Sequence, residues 1–254
     1  MKFNILGLGG WISHPALDTV SIVVEIENFK ILIDCGEAIL KRLHTAGLNI
    51  EDIDILVVTH SHGDHSLGFP SIVLWSAYRQ KKIKLITLED TYKDLLKLLE
   101  ATHIEHHKDT IESICIKSAK EPVEIFSNEK VRIKVVEVDH TIPCIAIRVE
   151  DTHGRSIVYS GDTRPCESIV KLAKNCDVLI YETSTKNLKC REHGHSTVDD
   201  SLEIALKCGC KILIPIHYYT TFDIVYKIRD DNGVNVLIPT QYVWYDVDKL
   251  LESI

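Results

Sequence analysis

The chain has 254 residues, 45% of them apolar and 26% charged, and a formal net charge of −8. That length can bury a sizeable core, and those proportions are ordinary globular values that exclude a disordered or fibrous chain. The acidic balance and the lack of a basic run speak against a surface that collects nucleic-acid phosphates by overall charge, while leaving room for a local basic cleft at Lys81, Lys82 and Lys84.

In chain order, the pattern predicts strands near residues 2–8, 19–26 and 29–34 and a helix near 37–46. The loop Gly7-Leu-Gly-Gly10 has no nucleotide-binding meaning, because a phosphate cradle needs a helix directly after it and here His14-Pro15 and another strand follow. The apolar run Asp54-Ile-Leu-Val-Val-Thr59 reads as a buried strand, followed by helices at Leu67–Tyr78 and Asp90–Leu99 with the strand Lys82–Thr87 between them. His103, His106 and His107 are expected on a solvated face. Strands from about 122 to 161, a helix near 166–174, and a strand–helix–strand–helix series to Asp246 complete the chain. No low-complexity linker divides it, so residues 1–254 are expected to form one domain, α+β in class, with two packed mixed sheets flanked by helices on both outer faces.

The chemistry concentrates directly after the strand at Thr59. His60, His62, Asp64 and His65 place three imidazoles and a carboxylate in six positions, and these are the groups that bind Zn²⁺ and similar ions. Alternation along extended backbone puts His60 and His62 on one side, and Gly63 lets the chain turn so that Asp64 and His65 face a second point nearby. Two ligand pairs at two adjacent points suggest a two-metal site. Further ligands are expected at other strand ends, where His140, Asp162 and His217 stand. Asp34, after Ile31-Leu-Ile33, reads either as a carboxylate holding a ligand imidazole or as a plain strand-end turn.

His-x-His-x-Asp-His with the downstream His140, Asp162 and His217 resembles the metallo-β-lactamase fold superfamily over essentially the whole chain, with an αββα sandwich as the implied fold. Within it the nearest resemblance is to ribonuclease Z, the tRNA 3′-endonuclease, and its phosphodiesterase relatives. Leu32-Ile-Asp-Cys-Gly-Glu-Ala38, Val138-Asp-His-Thr-Ile-Pro143, Tyr159-Ser-Gly-Asp-Thr-Arg164 and Gly194-His-Ser-Thr197 carry that resemblance. It implies two divalent metal ions, with zinc first and manganese or iron as alternatives. His60, His62 and His140 would hold one ion and Asp64, His65 and His217 the other, with Asp162 bridging. Asp64 would also orient the attacking water. His195 would protonate the leaving group, a task that suits imidazole because its ordinary pKa is close to working pH. Ser196 or Thr197 is also expected to cap the helix Val198–Lys207. Glu182 reads either as the group orienting His195 or as a surface acid, and His193 as a solvated loop residue.

The implied activity is hydrolysis of a phosphodiester, with RNA 3′ ends as a candidate substrate. A carboxyl- or thioester hydrolase of the same fold is the alternative, opposed by Gly194-His-Ser-Thr197, and a non-catalytic partner subunit ranks last because all seven ligand positions are intact. Two departures from ribonuclease Z bear on substrate. No long Gly/Pro-rich arm fits between His140 and Asp162, and Tyr218-Tyr-Thr-Thr-Phe222 lacks the arginine expected there. No apolar stretch of spanning length and no signal-peptide pattern occur, so a cytoplasmic protein without membrane association is expected, with a homodimer as the family-level assembly. The eight cysteines include no Cys-x-x-Cys pair and are expected to be mostly reduced and buried.

Overall fold

The computed structural model describes residues 1–12, 14–218 and 233–254. The chain divides into two compact units, one of Lys2–Lys117 with Gln241–Trp244, the other of Met1, Ser118–Thr240 and Tyr245–Ile254. They are called here the N-terminal and C-terminal units.

The N-terminal unit is built on β1 (Lys2–Gly7), β2 (Ser21–Ile26), β3 (Phe29–Ile33), β4 (Ile55–Val57), β5 (Ile83–Leu88) and β6 (Ile111–Ile116). Their spatial order is their sequence order. The first two pairings are antiparallel and the remaining three parallel, so the sheet is mixed. Helices α1 (Ile39–Thr45), α2 (Gly63–Ser66), α3 (Phe69–Arg79) and α4 (Glu89–Ala101) connect the parallel strands. Leu6, Val23, Leu32, Leu56 and Leu85 of the sheet pack with Ile39, Leu43, Phe69, Ile72, Val73, Leu95 and Leu99 of α1, α3 and α4 in one buried cluster. Each such side chain contributes roughly 1.5–3 kcal/mol by leaving water.

Two expectations change here. Strand β6 was not foreseen in Ile111-Glu-Ser-Ile-Cys-Ile116, where only Ile116 is fully buried, because an edge strand lacks the continuous apolar run of its neighbours. Two of the three lysines expected at a basic cleft are engaged by neighbouring oxygens: Lys81 Nζ donates to the carbonyls of Glu51 and Ile53, and Lys82 pairs with Glu112. His103 and His106 are exposed, as expected, with His106 and His107 in a 3₁₀ turn over Glu105–Thr110.

The C-terminal unit repeats the plan. Strands β7 (Val123–Ser127), β8 (Val131–Val138), β9 (Cys144–Asp151), β10 (Ser156–Tyr159), β11 (Val178–Glu182), β12 (Ile212–Ile216) and β13 (Asn235–Val236) again lie in sequence order. The pairings from β7 to β10 are antiparallel and those from β10 to β13 parallel. Helices α5 (Glu167–Leu172) and α6 (Val198–Cys208) pack Ile169, Leu172, Ile204 and Ala205 against Val136, Val158, Leu179 and Leu213. The short β14 (Trp244–Asp246) and α7 (Val247–Glu252) end the chain. Because β9 is antiparallel to both β8 and β10, the strands β8, β10, β11 and β12 all run the same way. Their carboxyl ends, and therefore residues 140, 162, 182 and 217, fall along one edge of one sheet, where α/β proteins place their chemistry.

Helix α6 starts as its sequence requires. Thr197 Oγ1 accepts from Asp200 N–H at 3.2 Å while the Asp200 carboxylate accepts from Thr197 N–H at 2.8 Å. Arg191 clamps the same carboxylate. Burial opposes ionisation of Asp200, but the hydrogen bonds from Arg191 and Thr197 outweigh it and hold the carboxyl below its ordinary range. A depressed folded-state value means that the ionised group stabilises the fold above the ordinary carboxylate pKa and loses that contribution as pH falls through the depressed value. Asp200→Asn should therefore lower the melting temperature at pH 7 by roughly 2–4 °C, the equivalent of about 1 kcal/mol for a chain of this size. The gap to wild type should close in melts below about pH 4. A gap that stays constant down to pH 3 would contradict this.

Candidate metal centre

In the N-terminal unit the ligand candidates leave the sheet at adjacent parallel strand ends. Asp34 directly follows β3, and Thr59-His60 follow β4 by one residue. Asp34 is fully buried, with a left-handed φ of 60°, and its carboxylate accepts from Thr59 N–H at 2.8 Å and from Thr59 Oγ1 at 2.9 Å. It also meets His65 Nδ1 at 2.7 Å. Asp34 is thus both the strand-end turn and the holder of an imidazole. His60 and His62 face the same way, with His60 Nε2 3.2 Å from His62 Nδ1 and the two rings edge to face. Helix α2 returns His65 to them, its ring 4.1 Å from that of His60, with Asp64 Oδ2 3.3 Å from His65 Nε2. Gly36 permits this return: a Cβ there would lie 2.0 Å from the Asp64 carbonyl, so any side chain would push the metal-type loop away.

In the C-terminal unit, Asp162 is 1% exposed and His217 likewise, with Asp162 Oδ2 3.2 Å from His217 Nε2. His140 stands at the end of β8 and donates from Nδ1 to the Gly194 carbonyl at 2.9 Å. Gly194 has φ 85°, and a Cβ on it would lie 2.5 Å from that same nitrogen. The next residue, His195, stacks on His217 with ring centres 5.2 Å apart and meets His140 at 5.3 Å. Glu182 is fully buried, which corrects the surface-acid reading. Its Oε1 lies 3.3 Å from His195 Nδ1 and accepts from Ser196 N–H at 2.7 Å, while Oε2 accepts from Ser184 Oγ at 3.0 Å. Glu182, His195 and His217 form a donor group within this unit. Thr197, not Ser196, caps α6, and His193 is exposed. His217 is the last ligand candidate, and the stretch from Tyr219 to Phe222 lies outside the described residues.

Four of the histidines share one orientation device. The Gly194 carbonyl can only accept, so His140 carries its proton on Nδ1, and the Asp34 carboxylate imposes the same on His65. Thr59 Oγ1 donates to Asp34, so it accepts from His60 Nδ1 at 3.0 Å. Ser184 Oγ donates to Glu182 and accepts from His217 Nδ1 at 3.0 Å. In each case Nε2 is the basic nitrogen, and those of His65 and His217 lie 3.3 Å from Asp64 and 3.2 Å from Asp162 in their respective units. A set of imidazoles held in one tautomer, three of the four buried and two of them beside carboxylates, is the donor chemistry that a divalent cation requires, so the residues fit the metal that the sequence implies.

Thr59 and Ser184 were not singled out from the sequence. Their signal was position alone, next to His60 and two residues after Glu182. Removing one of these supports, as in Thr59→Val, should weaken metal affinity about 10–100-fold without loss of fold, read by competition with a chelating dye. Unchanged affinity in Thr59→Val would mean that Thr59 does not orient His60.

The family model for the anti-Pycsar protein Apyc1 matches residues 1–238. Ribonuclease Z of Picrophilus torridus is 27% identical, with 100% of this chain and 98% of that protein covered. Among solved structures, the short form of human tRNase Z superposes with a TM-score of 0.80 at 23% identity, covering 97% of this chain and 99% of its own. The metallo-β-lactamase fold protein YhfI from Bacillus subtilis gives 0.82 at 19% identity, covering 96% and 98%. A diphosphatase of the PhnP family gives 0.75 at 19% identity, covering 96% of each. The fold class expected from the sequence is the one these structures share. The chain therefore belongs to the family of the anti-Pycsar protein Apyc1, as a ribonuclease Z-like, metal-dependent hydrolase of the metallo-β-lactamase fold.

Proposed function

We propose that the chain is a dinuclear phosphodiesterase in which His60, His62 and His140 hold one divalent ion and Asp64, His65 and His217 the other, with Asp162 shared. Zinc suits this set of imidazoles and carboxylates best, with manganese and iron as alternatives. The observation that carries the reading is the common orientation of His60, His65, His140 and His217, each fixed through Nδ1 by a different neighbour. When bound, the pair of cations supplies a water that ionises near neutral pH and positive charge for the phosphate oxygens. Asp64 accepts a proton-bearing edge of the attacking water and so orients it. Glu182 Oε1 stands 3.3 Å from His195 Nδ1, on the side away from the nitrogen that would give a proton to the departing oxygen. His195 adjoins Gly194, whose carbonyl fixes His140, so the acid and a ligand are set by one dipeptide.

The substrate we assign is a phosphodiester with little bulk to grip, an RNA 3′ end among the candidates. Between His140 and Asp162 the chain forms only β9, a turn and β10, which leaves no arm for the body of a tRNA. The absence of an arm and the charge of −8 both act against tight tRNA binding. Binding of full tRNA should accordingly be weak and fall steeply with salt, and nanomolar, salt-tolerant binding in a filter assay would contradict this. A metal-supplemented assay comparing bis-p-nitrophenyl phosphate, a thioester and a 3′-extended tRNA tests the reaction class. Phosphodiester cleavage without thioester cleavage is expected, and the reverse would overturn the proposal.

A cytoplasmic location and a homodimer complete the reading. All eight cysteines are free thiols, and among the described residues no helix is long and apolar enough to cross a membrane. Reduced thiols in this number suit a reducing compartment.

A further inference from the structure

Three cysteines that play no part in the hydrolytic chemistry meet at the amino-terminal ends of β11 and β12. Cys176 is fully buried, Cys208 is 2% exposed, and Cys210 is half-buried at the rim of the same apolar cluster. The parallel register pairs Val178 with Ile212 and Leu179 with Leu213, and continued two residues back it sets Cys176 opposite Cys210. Lys211 N–H donates to Cys176 O at 3.1 Å and Ile212 N–H to Asp177 O at 3.0 Å, so the two chains stay adjacent as far back as Cys176, through bends at Asp177 and Lys211. Neighbouring strands lie about 4.8 Å apart, inside the roughly 4.4–6.8 Å between Cα atoms that a disulfide accepts. The thiols of Cys176, Cys208 and Cys210 lie near enough to shift one another's ionisation. Cys208 is the last residue of α6, its Sγ 3.4 Å from the Ala205 carbonyl in the same turn.

We propose that Cys176 and Cys210 form a redox-modification site, a dithiol that a hydroperoxide converts to a cross-strand disulfide. Cys208 is the thiol that its neighbours Cys176 and Cys210 hold well below the ordinary range, but it is shut from solvent at 2% exposure. The half-buried Cys210 therefore reacts, losing its proton to solvent as its sulfur attacks the O–O bond, forms an S–O bond and releases the alcohol or water as leaving group. Cys176 then attacks the Cys210 sulfur, the S–O bond breaks, and the oxygen departs as water with the Cys176 proton. The balance is two thiols and one hydroperoxide giving one disulfide, one alcohol or water, and one further water. The bond would staple two strands whose far ends carry Glu182 and His217, about 20 Å away by the usual rise per residue. It stabilises the sheet without touching the reacting groups.

The test uses the full chain, reduced and then treated with hydrogen peroxide, with remaining thiols alkylated before tryptic mapping. Cleavage after Lys174, Lys186, Lys207 and Lys211 isolates 175–186 and 208–211, which should appear linked with the loss of two hydrogens. Closing a loop of about 35 residues should raise the melting temperature by about 5–10 °C, with turnover changed less than about twofold. Cys176→Ala and Cys210→Ala should each abolish the link and the rise, while Cys208→Ala keeps both. Oxidised wild type with no 175–186 to 208–211 link overturns the proposal. So does a link that survives Cys210→Ala or is lost in Cys208→Ala, or an oxidised chain that melts with the reduced one.

Discussion

Asp162→Ala should purify with almost no bound metal and hydrolyse phosphodiesters at the buffer background, although the chain remains folded. The proposed carboxylate is shared, so its loss removes a ligand from each ion and the spacing between them. In the C-terminal unit it is buried beside His217 and His195, at 3.2 and 3.8 Å, where a carboxylate among imidazoles has its natural counter-charge in a cation. His217→Ala provides the contrast. Its role is confined to one ion, so elemental analysis should find about one ion retained where Asp162→Ala retains none. Equal retention in the two variants would mean that Asp162 does not bridge.

His195→Ala should keep both ions yet lose roughly 10²–10⁴-fold in turnover on a substrate with an alkoxide leaving group, the usual contribution of a positioned acid. The deficit should shrink on a nitrophenyl ester, because nitrophenolate departs without a proton. An equal deficit on both substrates would reassign His195 to binding or orientation. Metal loss in the same variant would make it a ligand, an outcome to which its grouping with Glu182 and His217 gives a definite form. Glu182→Gln should reproduce a milder version, because it keeps the shape and the acceptor for Ser196 while removing the charge 3.3 Å from His195 Nδ1.

The sequence disclosed the residues whose chemistry is unusual and concealed those whose chemistry is ordinary. His60, His62, Asp64 and His65 are legible because four metal-type donors in six positions after an apolar strand have few other uses. The strand-end logic extended this to His140, Asp162 and His217, and the observed direction of β8, β10 and β12 explains why residues so far apart share an edge. Thr59 and Ser184 stayed hidden because a hydroxyl that accepts from an imidazole while donating to a carboxylate looks like any other serine or threonine until both partners are placed. Glu182 was ambiguous for the same reason, since burial of an acid is set by tertiary neighbours rather than by local pattern. Strand β6 was hidden because its outer face is exposed, which removes the apolar continuity that marked β4 and β5. Gly194 was read within a motif, but its reason is steric: only a residue without Cβ lets the His140 ring lie against the backbone that fixes it.

The most direct test is a crystal structure of the metal-reconstituted chain, with anomalous data collected on both sides of the zinc edge. Two anomalous peaks are predicted, one ligated by His60, His62 and His140, the other by Asp64, His65 and His217, with Asp162 in contact with both. A single peak, or a peak ligated by Glu182, His195 and His217 in place of the second, would contradict the account.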